Sequence, residues 1–376
     1  MTDPLSPPPI LRGAAAQASW VKRAFQGIPS LAVAPGGRLW AAWYGGPRGE
    51  DADNAVYLVS SSDSGATWAL VLAIDPPDEV RAFDPVLWLD PLGRIWVCWA
   101  QSTAPRQSKG QMFDGAAGVW AMRSRDPDAA EPAWEPPRRI ADGVMMNKPL
   151  VTAGGDWLFP TALWKNLGGG TVPMHLKSAQ HANVTVSTDR GEAFIRRGGA
   201  DAPEPDFDEH MLVERRNGSL WMLIRCRHGL AESSSTDGGT TWSPGRPTAP
   251  AIANARFHLR RLRSGRLLLV ANRADPAQRD SLAWRKRRNL TAWLSEDDGA
   301  TWPWALCLDP REGTSYPDAD EDAEGRIWLT WDYERYRCGD ILLGCVREAE
   351  ILAGRCELPD SFVGRLLDRS GGVRPG

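Results

Sequence analysis

The chain has 376 residues, a net charge of −3, 24% charged and 42% hydrophobic residues. This composition describes a globular protein without the basic excess that draws in nucleic acid. No run of 18 apolar residues offers a membrane span, and "MTDPLSPPPILRG" lacks the apolar centre of a secretory leader, so a cytoplasmic location is expected. Six cysteines without a Cys-x-x-Cys pair argue against a zinc site or a disulfide framework, and no metal or cofactor is expected.

Along the chain, residues 1–15 are expected to form an N-terminal tail. "ASWVKRAF" (18–25) is assigned as the outer strand of the last structural unit. "SLAVAPGGRLWAAWY" (30–44) then places Gly37 between two apolar-alternating runs, which predicts a hairpin with a left-handed turn. "AVYLVSS" (55–61) predicts a third strand running into "SSDSGATW" (61–68), after which a fourth begins. The same phrasing returns around Gly93, Gly155, Gly218, Gly265 and Gly325, and the Ser-x-Asp turn returns at 187–194, 235–242 and 295–302. In the second unit, "RSRDPDAAEPAW" (123–134) is a stretched, degenerate copy.

Each unit therefore reads as strand, Gly turn, strand, loop, strand, Asp turn, strand. Six such units predict an all-β fold, a six-bladed β-propeller over residues 16–352, with a C-terminal tail over 353–376. The Ser-x-Asp-x-Gly turns are read as structural: the Asp caps backbone N–H groups, the Gly adopts positive φ, and the Trp wedges between neighbours. "DADEDAEG" (318–325) is no EF-hand, because Ala323 and Leu329 stand where Gly and Glu are needed.

Asp boxes on a six-unit β pattern resemble the sialidase (neuraminidase) superfamily, over roughly residues 16–350, as a divergent BNR-repeat branch. The resemblance implies an exo-acting glycoside hydrolase on a terminal acidic sugar, sialic acid or a relative, with a tyrosine nucleophile. A neutral phenol suits an anomeric carbon bearing a carboxylate, but its pKa near 10 requires a neighbouring base. "TSYPDADEDAEGRIWLTWDYE" resembles the segment carrying the nucleophile, which implies Tyr316. "DEHMLVERRNGSLWMLIR" resembles the segment that opens with its partner Glu and closes with a carboxylate-binding Arg, which implies Glu209 and Arg225. "RKRRNLTAWLSEDDGATW" implies a clamp Arg at Arg287 or Arg288. The general acid falls near Glu50, Asp51 and Asp53, with Asp51 favoured.

At the first-strand starts and loops expected to gather at one mouth, Asp84, Asn147, Lys148, Arg256, His258, Asp318, Arg335 and Arg48 are further substrate-binding candidates. Trp164, Trp284 and Tyr333 are candidates for stacking on sugar faces. For His258 the alternative is a hydrogen-bonded strand histidine, and for Asp84 a turn residue. The family usually opens with Phe/Tyr-Arg-Ile-Pro. Here "FQGIPS" puts Gly27 where that Arg stands, and losing one charge-assisted pair costs about 1.5–3 kcal/mol. Either Arg48, Lys148 or Arg256 compensates, or the substrate is another acidic sugar. Three other readings compete: a non-catalytic carbohydrate-binding propeller, a uronate lyase using Tyr316 with His210 or His258, and a protein-interaction scaffold.

Overall fold

The computed structural model describes residues 5–77, 79–103, 116–164, 172–274 and 287–371. Its strands form six antiparallel sheets, each built in chain order from the axis outward. The inner strands are Phe25–Val33, Val80–Leu89, the pair Val144–Met145 and Leu150–Val151, Pro205–Glu214, His258–Arg261 and Thr314–Glu321. This is the six-bladed propeller that the repeat predicts. The six turn glycines, Gly37, Gly93, Gly155, Gly218, Gly265 and Gly325, all have φ between +71° and +91°. At five of them an added Cβ would meet nothing within 4 Å, so these positions need glycine for its backbone freedom rather than for space.

Ring closure differs from the sequence expectation. The sixth sheet takes its outer strand from Phe362–Arg369, paired with Asp340–Arg347, and residues 18–25 contribute no strand to it. Gly13–Trp20 is a helix instead, and Ile10–Leu11 adds a fifth strand outside the first blade. The run "GAAAQASW" explains the difference: three consecutive alanines favour helix over strand. Trp20 then packs edge-on to Tyr57, with ring centroids 5.5 Å apart, which fixes the helix on the first blade. Both expected tails thus supply secondary structure.

The Ser-x-Asp-x-Gly turns hold themselves and their neighbours. In the first, the Thr67 hydroxyl donates to Asp63 Oδ2 (2.6 Å), the Thr67 N–H to Asp63 Oδ1 (2.9 Å) and the Gly65 N–H to Ser61 Oγ (3.0 Å). The hydrogen bonds from Thr67 and Ser61 pull the Asp63 carboxyl down to about 2. In three of the four turns the glycine, Gly65, Gly191 or Gly299, faces a side chain of another blade. A Cβ on Gly191 would lie 2.8 Å from the Trp96 ring of the second blade, and one on Gly299 2.5 Å from the Trp221 ring of the fourth. At these two seams the recurring phrases are halves of one contact: the tryptophan of Gly-Arg-Ile-Trp or Gly-Ser-Leu-Trp in one blade seats against the Asp-turn glycine of the next. Trp68, Trp242 and Trp302 fill the remaining gaps between adjacent sheets.

On the axis, inner strands of adjacent blades do not pair, so their N–H groups need other acceptors. The sixth blade supplies carboxylates: Ile28 N–H donates to Asp332 (2.9 Å), Leu31 N–H to Asp318 (2.9 Å) and Val33 N–H to Asp320 (3.0 Å).

The inter-blade contact generates a paired prediction. Gly299→Ala is expected to lower stability in urea unfolding by about 2–5 kcal/mol, because a left-handed backbone and a collision with the buried Trp221 add together. Gly218→Ala, with equal φ demands but open space, is expected to lose only about 1–2 kcal/mol. Equal losses would remove the neighbouring blade from the explanation.

Candidate functional site

Three inner strands share a device that carries the site. The ladders of the first, second and sixth blades each slip by a bulge, between Gly27 and Ser30, Phe83 and Val86, and Ser315 and Asp318. At each bulge a non-glycine residue with positive φ precedes a proline: Ile28 (φ 57°), Asp84 (φ 50°) and Tyr316 (φ 53°). Such residues are uncommon and strained, and bulges re-aim side chains next to functional sites. All three line one cavity of about 530 Å³. In the fourth blade, Phe207 and Asp208 at positive φ do the same for Glu209.

The cavity brings together the expected nucleophile and base. Tyr316 OH lies 3.4 Å from Glu209 Oε1. Arg225 Nη1 donates to both, at 2.7 Å to Glu209 and 3.1 Å to Tyr316. Arg225 itself does not line the cavity; its Nε donates to Asn254 (2.6 Å) and its Nη2 faces Asp206 at 3.7 Å. It is thus a brace behind the phenol and the carboxylate rather than a free carboxylate ligand.

Of the two, Arg287 lines the cavity and Arg288 does not. Arg287 Nη2 lies 3.5 Å from Tyr316 OH, and its guanidinium carbon 4.7 Å from the ring centroid. Arg335 covers the same ring at 4.3 Å and is held by Glu50 (3.3 Å), Asp332 (3.7 Å) and Ser315 Oγ (3.3 Å). Position 27 explains how Arg335 fits there. A Cβ on Gly27 would lie 2.8 Å from Asp332 Oδ2 and 3.2 Å from both Cβ and Cδ of Arg335. The space beside residue 27 holds a guanidinium-bearing side chain from the neighbouring blade.

Several expected acids and cations lie elsewhere. Asp51 and Asp53 are bound to Arg48 at 2.9 and 2.6 Å in an exposed turn, and none of the three lines the cavity. Glu50 does line it, accepting from Tyr336 OH (3.0 Å) as well as Arg335. Lys148 and Asp318 meet on the axis below the cavity. Lys148 Nζ lies 2.8 Å from Asp318 and donates to the carbonyls of Leu31 and Leu87. His258 Nδ1 sits 2.9 Å from the other Asp318 oxygen, and Ser30 Oγ donates to Asp318 at 2.6 Å. Burial opposes ionisation there, but Lys148 and His258 hold the Asp318 carboxyl well below the usual range. These residues tie blades together. Arg256 donates to the carbonyls of Pro29 and Pro317, the residues after Ile28 and Tyr316, and so pins two bulges from beneath. Asn147 donates to the carbonyl of His210 (2.9 Å). His210 has both ring nitrogens at backbone carbonyls, and burial pushes its pKa down to about 4. Neither His210 nor His258 lines the cavity, which deprives a lyase of its expected partner. Trp164 lines the cavity, Tyr333 stacks under Arg311 away from it, and Trp284 lies outside the described residues.

Asp84, which sequence reasoning placed among the binders, also lines the cavity. It is 2% exposed, and its Oδ1 has no hydrogen-bond partner among the described residues. Burial pushes its carboxyl up to about 8, against the pull of Arg81; Glu50 and Glu209 add to the rise and Arg256 opposes it. Arg81, Phe83, Tyr44 and Tyr336 are cavity residues that sequence reasoning missed. The signal for Arg81 and Phe83 is their place four and two residues before the bulge proline Pro85, in register with Phe25 and Gly27 before Pro29.

The exchange between positions 27 and 335 is testable. Gly27→Arg is expected to displace Arg335 and lower stability in urea by about 1–3 kcal/mol, with partial rescue by Arg335→Gly in the same chain. Additive losses in the double variant would mean that the two positions do not share this space.

Comparison with solved structures places the architecture. Hadza microbial sialidase Hz136 superposes with a TM-score of 0.68 at 19% identity, over 90% of this chain and 68% of that one. The intramolecular trans-sialidase from Ruminococcus gnavus, in complex with oseltamivir carboxylate, gives 0.64 at 15% identity, over 91% and 98%. A protein of unknown function from Dyadobacter fermentans gives 0.61 at 17% identity, over 83% and 91%. At these identities the likeness is one of fold. No curated protein matches the sequence. A model of the BNR repeat-like domain matches residues 36–329, most of the propeller, and the chain belongs to that family.

Proposed function

We propose that this protein is a sialidase-like exo-glycoside hydrolase acting on a terminal sugar that bears a carboxylate. The observation that carries the reading is the contact of Tyr316 OH, Glu209 Oε1 and Arg225 Nη1, at 2.7, 3.1 and 3.4 Å, on the wall of an axial cavity. Tyr316 attacks the anomeric carbon as Glu209 takes its phenolic proton. Arg225 stabilises the phenolate character that develops between them. Arg287 and Arg335, flanking the phenol, hold the sugar carboxylate by charge-assisted hydrogen bonds. Asp84, protonated at neutral pH, gives its proton to the departing glycosidic oxygen. In the second half, water attacks the anomeric carbon and gives a proton to the Asp84 carboxylate. The Tyr316 oxygen leaves and recovers its proton from Glu209. Asp84 suits the acid role better than Glu50, which is engaged by Arg335 and Tyr336.

Tyr316→Phe is expected to lower release from aryl glycosides of acidic sugars at least about 1,000-fold while sugar binding survives. Wild-type turnover in that variant would refute the assignment. Saturable binding without product by the unaltered protein would identify a binding propeller instead.

The Asp84 role has its own pH signature. With a poor leaving group, kcat/KM is expected to fall as pH rises through about 8, where Asp84 of the free enzyme loses the proton it must donate. Asp84→Asn is expected to abolish that limb and to slow poor leaving groups about 100-fold, with a smaller loss for activated aryl leaving groups. An unchanged profile would assign the proton to another group.

A further inference from the structure

Two cations of the cavity have no role in the chemistry above, and one of them, Arg337, is already paired with Glu334 at 3.3 Å. The other, Arg81, is 1% exposed and lines the cavity on the wall of the first two blades. Its guanidinium carbon lies 4.0 Å from the Phe83 ring centroid and 5.6 Å from that of Tyr44. Its Nε and Nη1 are buried and hydrogen-bond to nothing among the described residues. The other cavity arginines differ. Arg335 is tied to Glu50 and Asp332, and Arg287 reaches the Tyr316 hydroxyl. A buried, desolvated guanidinium with unused donors is costly unless something pairs with it. The rings beside it favour the cation but leave its in-plane donors unused.

Its sequence neighbour at the bulge is Asp84, whose Oδ1 is also buried without a partner. The two side chains present an unused fork of donors beside an unused carboxyl oxygen, both in a cavity that already holds Arg287, Arg335 and Arg337. That is more cationic donor capacity than one sugar carboxylate requires.

We propose that Arg81, backed by Phe83 and Tyr44, forms a second anion subsite, which takes an oxyanion carried on the leaving-group side of the substrate. This rests on the reading of Asp84 as the donor to the glycosidic oxygen, because that reading puts Arg81 beside the departing sugar. The substrate is then a glycoside with two anionic groups: a carboxylate on the terminal sugar, held at Arg287 and Arg335, and a carboxylate or sulfate ester on the next, held by the Arg81 fork. Planar, bidentate recognition of an oxyanion is what a guanidinium does better than an ammonium.

Anion binding is measured without turnover, so this inference and the hydrolase reading fail separately. Calorimetric titration with inorganic sulfate at constant ionic strength is expected to show two sites. Arg81→Gln is expected to weaken one of them at least about tenfold, and Arg287→Gln the other. Arg81→Lys, which keeps the charge and loses the fork, is expected to fall between Arg81→Gln and the unaltered protein. Because a buried arginine variant can misfold, a crystal of the unaltered protein soaked in selenate provides the independent reading. Anomalous density within hydrogen-bond distance of Arg81 supports the subsite. Density confined to Arg287 and Arg335, or sulfate binding unchanged in folded Arg81→Gln, overturns it. Displacing the selenate at Arg81 with glucuronate or with galactose 6-sulfate distinguishes a uronate from a sulfate ester as its natural occupant.

Discussion

Asp318 is the carboxylate on which the ring and its cavity both depend. It lies 2% exposed on the axis and accepts from Ser30 and Leu31 of the first blade, Lys148 of the third and His258 of the fifth. A buried ion pair of this kind adds little net stability over apolar packing, but removing one partner costs about 3–5 kcal/mol. Its value is geometric. Two residues upstream is Tyr316, and between them the Pro317 carbonyl is held by Arg256. The backbone that presents the phenol is anchored after Tyr316 by charged groups of other blades and before it by Ser315, bonded to Asp332 and Arg335 of its own blade, and the strained φ of Tyr316 persists because those anchors over-determine it.

The same logic governs the arginines around the phenol. Gly27 and Arg335 sit on adjacent blades, and the seam between those blades is where sixth-blade carboxylates accept first-blade N–H groups. Asp332 serves both purposes: it accepts from Ile28 N–H and lies 3.7 Å from Arg335. A side chain at position 27 would collide with both. The glycine of the first blade and the arginine of the sixth are a single packing solution, which keeps a guanidinium over the ring.

Much of the architecture was legible in the sequence. Six Gly turns with flanking alternation gave six blades, because a hairpin turn needs a left-handed residue whatever surrounds it. The Ser-x-Asp-x-Gly-x-Thr-Trp phrase also announced its own hydrogen bonds, since donor and acceptor lie within four residues. Closure was misread at Ala18–Phe25: a short window does not distinguish an outer strand from an Ala-rich helix, and the strand that closes the sheet lies more than 300 residues away at Phe362–Arg369.

Within the site, the sequence by itself singled out Tyr316, Glu209 and Arg287, and the three do meet at one cavity. Only the tertiary structure decided the function of each charge. Lys148, Asp318, Arg256 and His258 carry the same chemistry as the cavity residues, yet they lie below it and hold blades together. Asp84, Arg335 and Arg81 line the cavity, whereas Asp51 and Arg48 pair with each other outside it. The physical reason is that a carboxylate or guanidinium acquires its role from burial and from partners in other blades. Those partners are distant in the chain, whereas turns and strand periods are set by neighbours within a few residues.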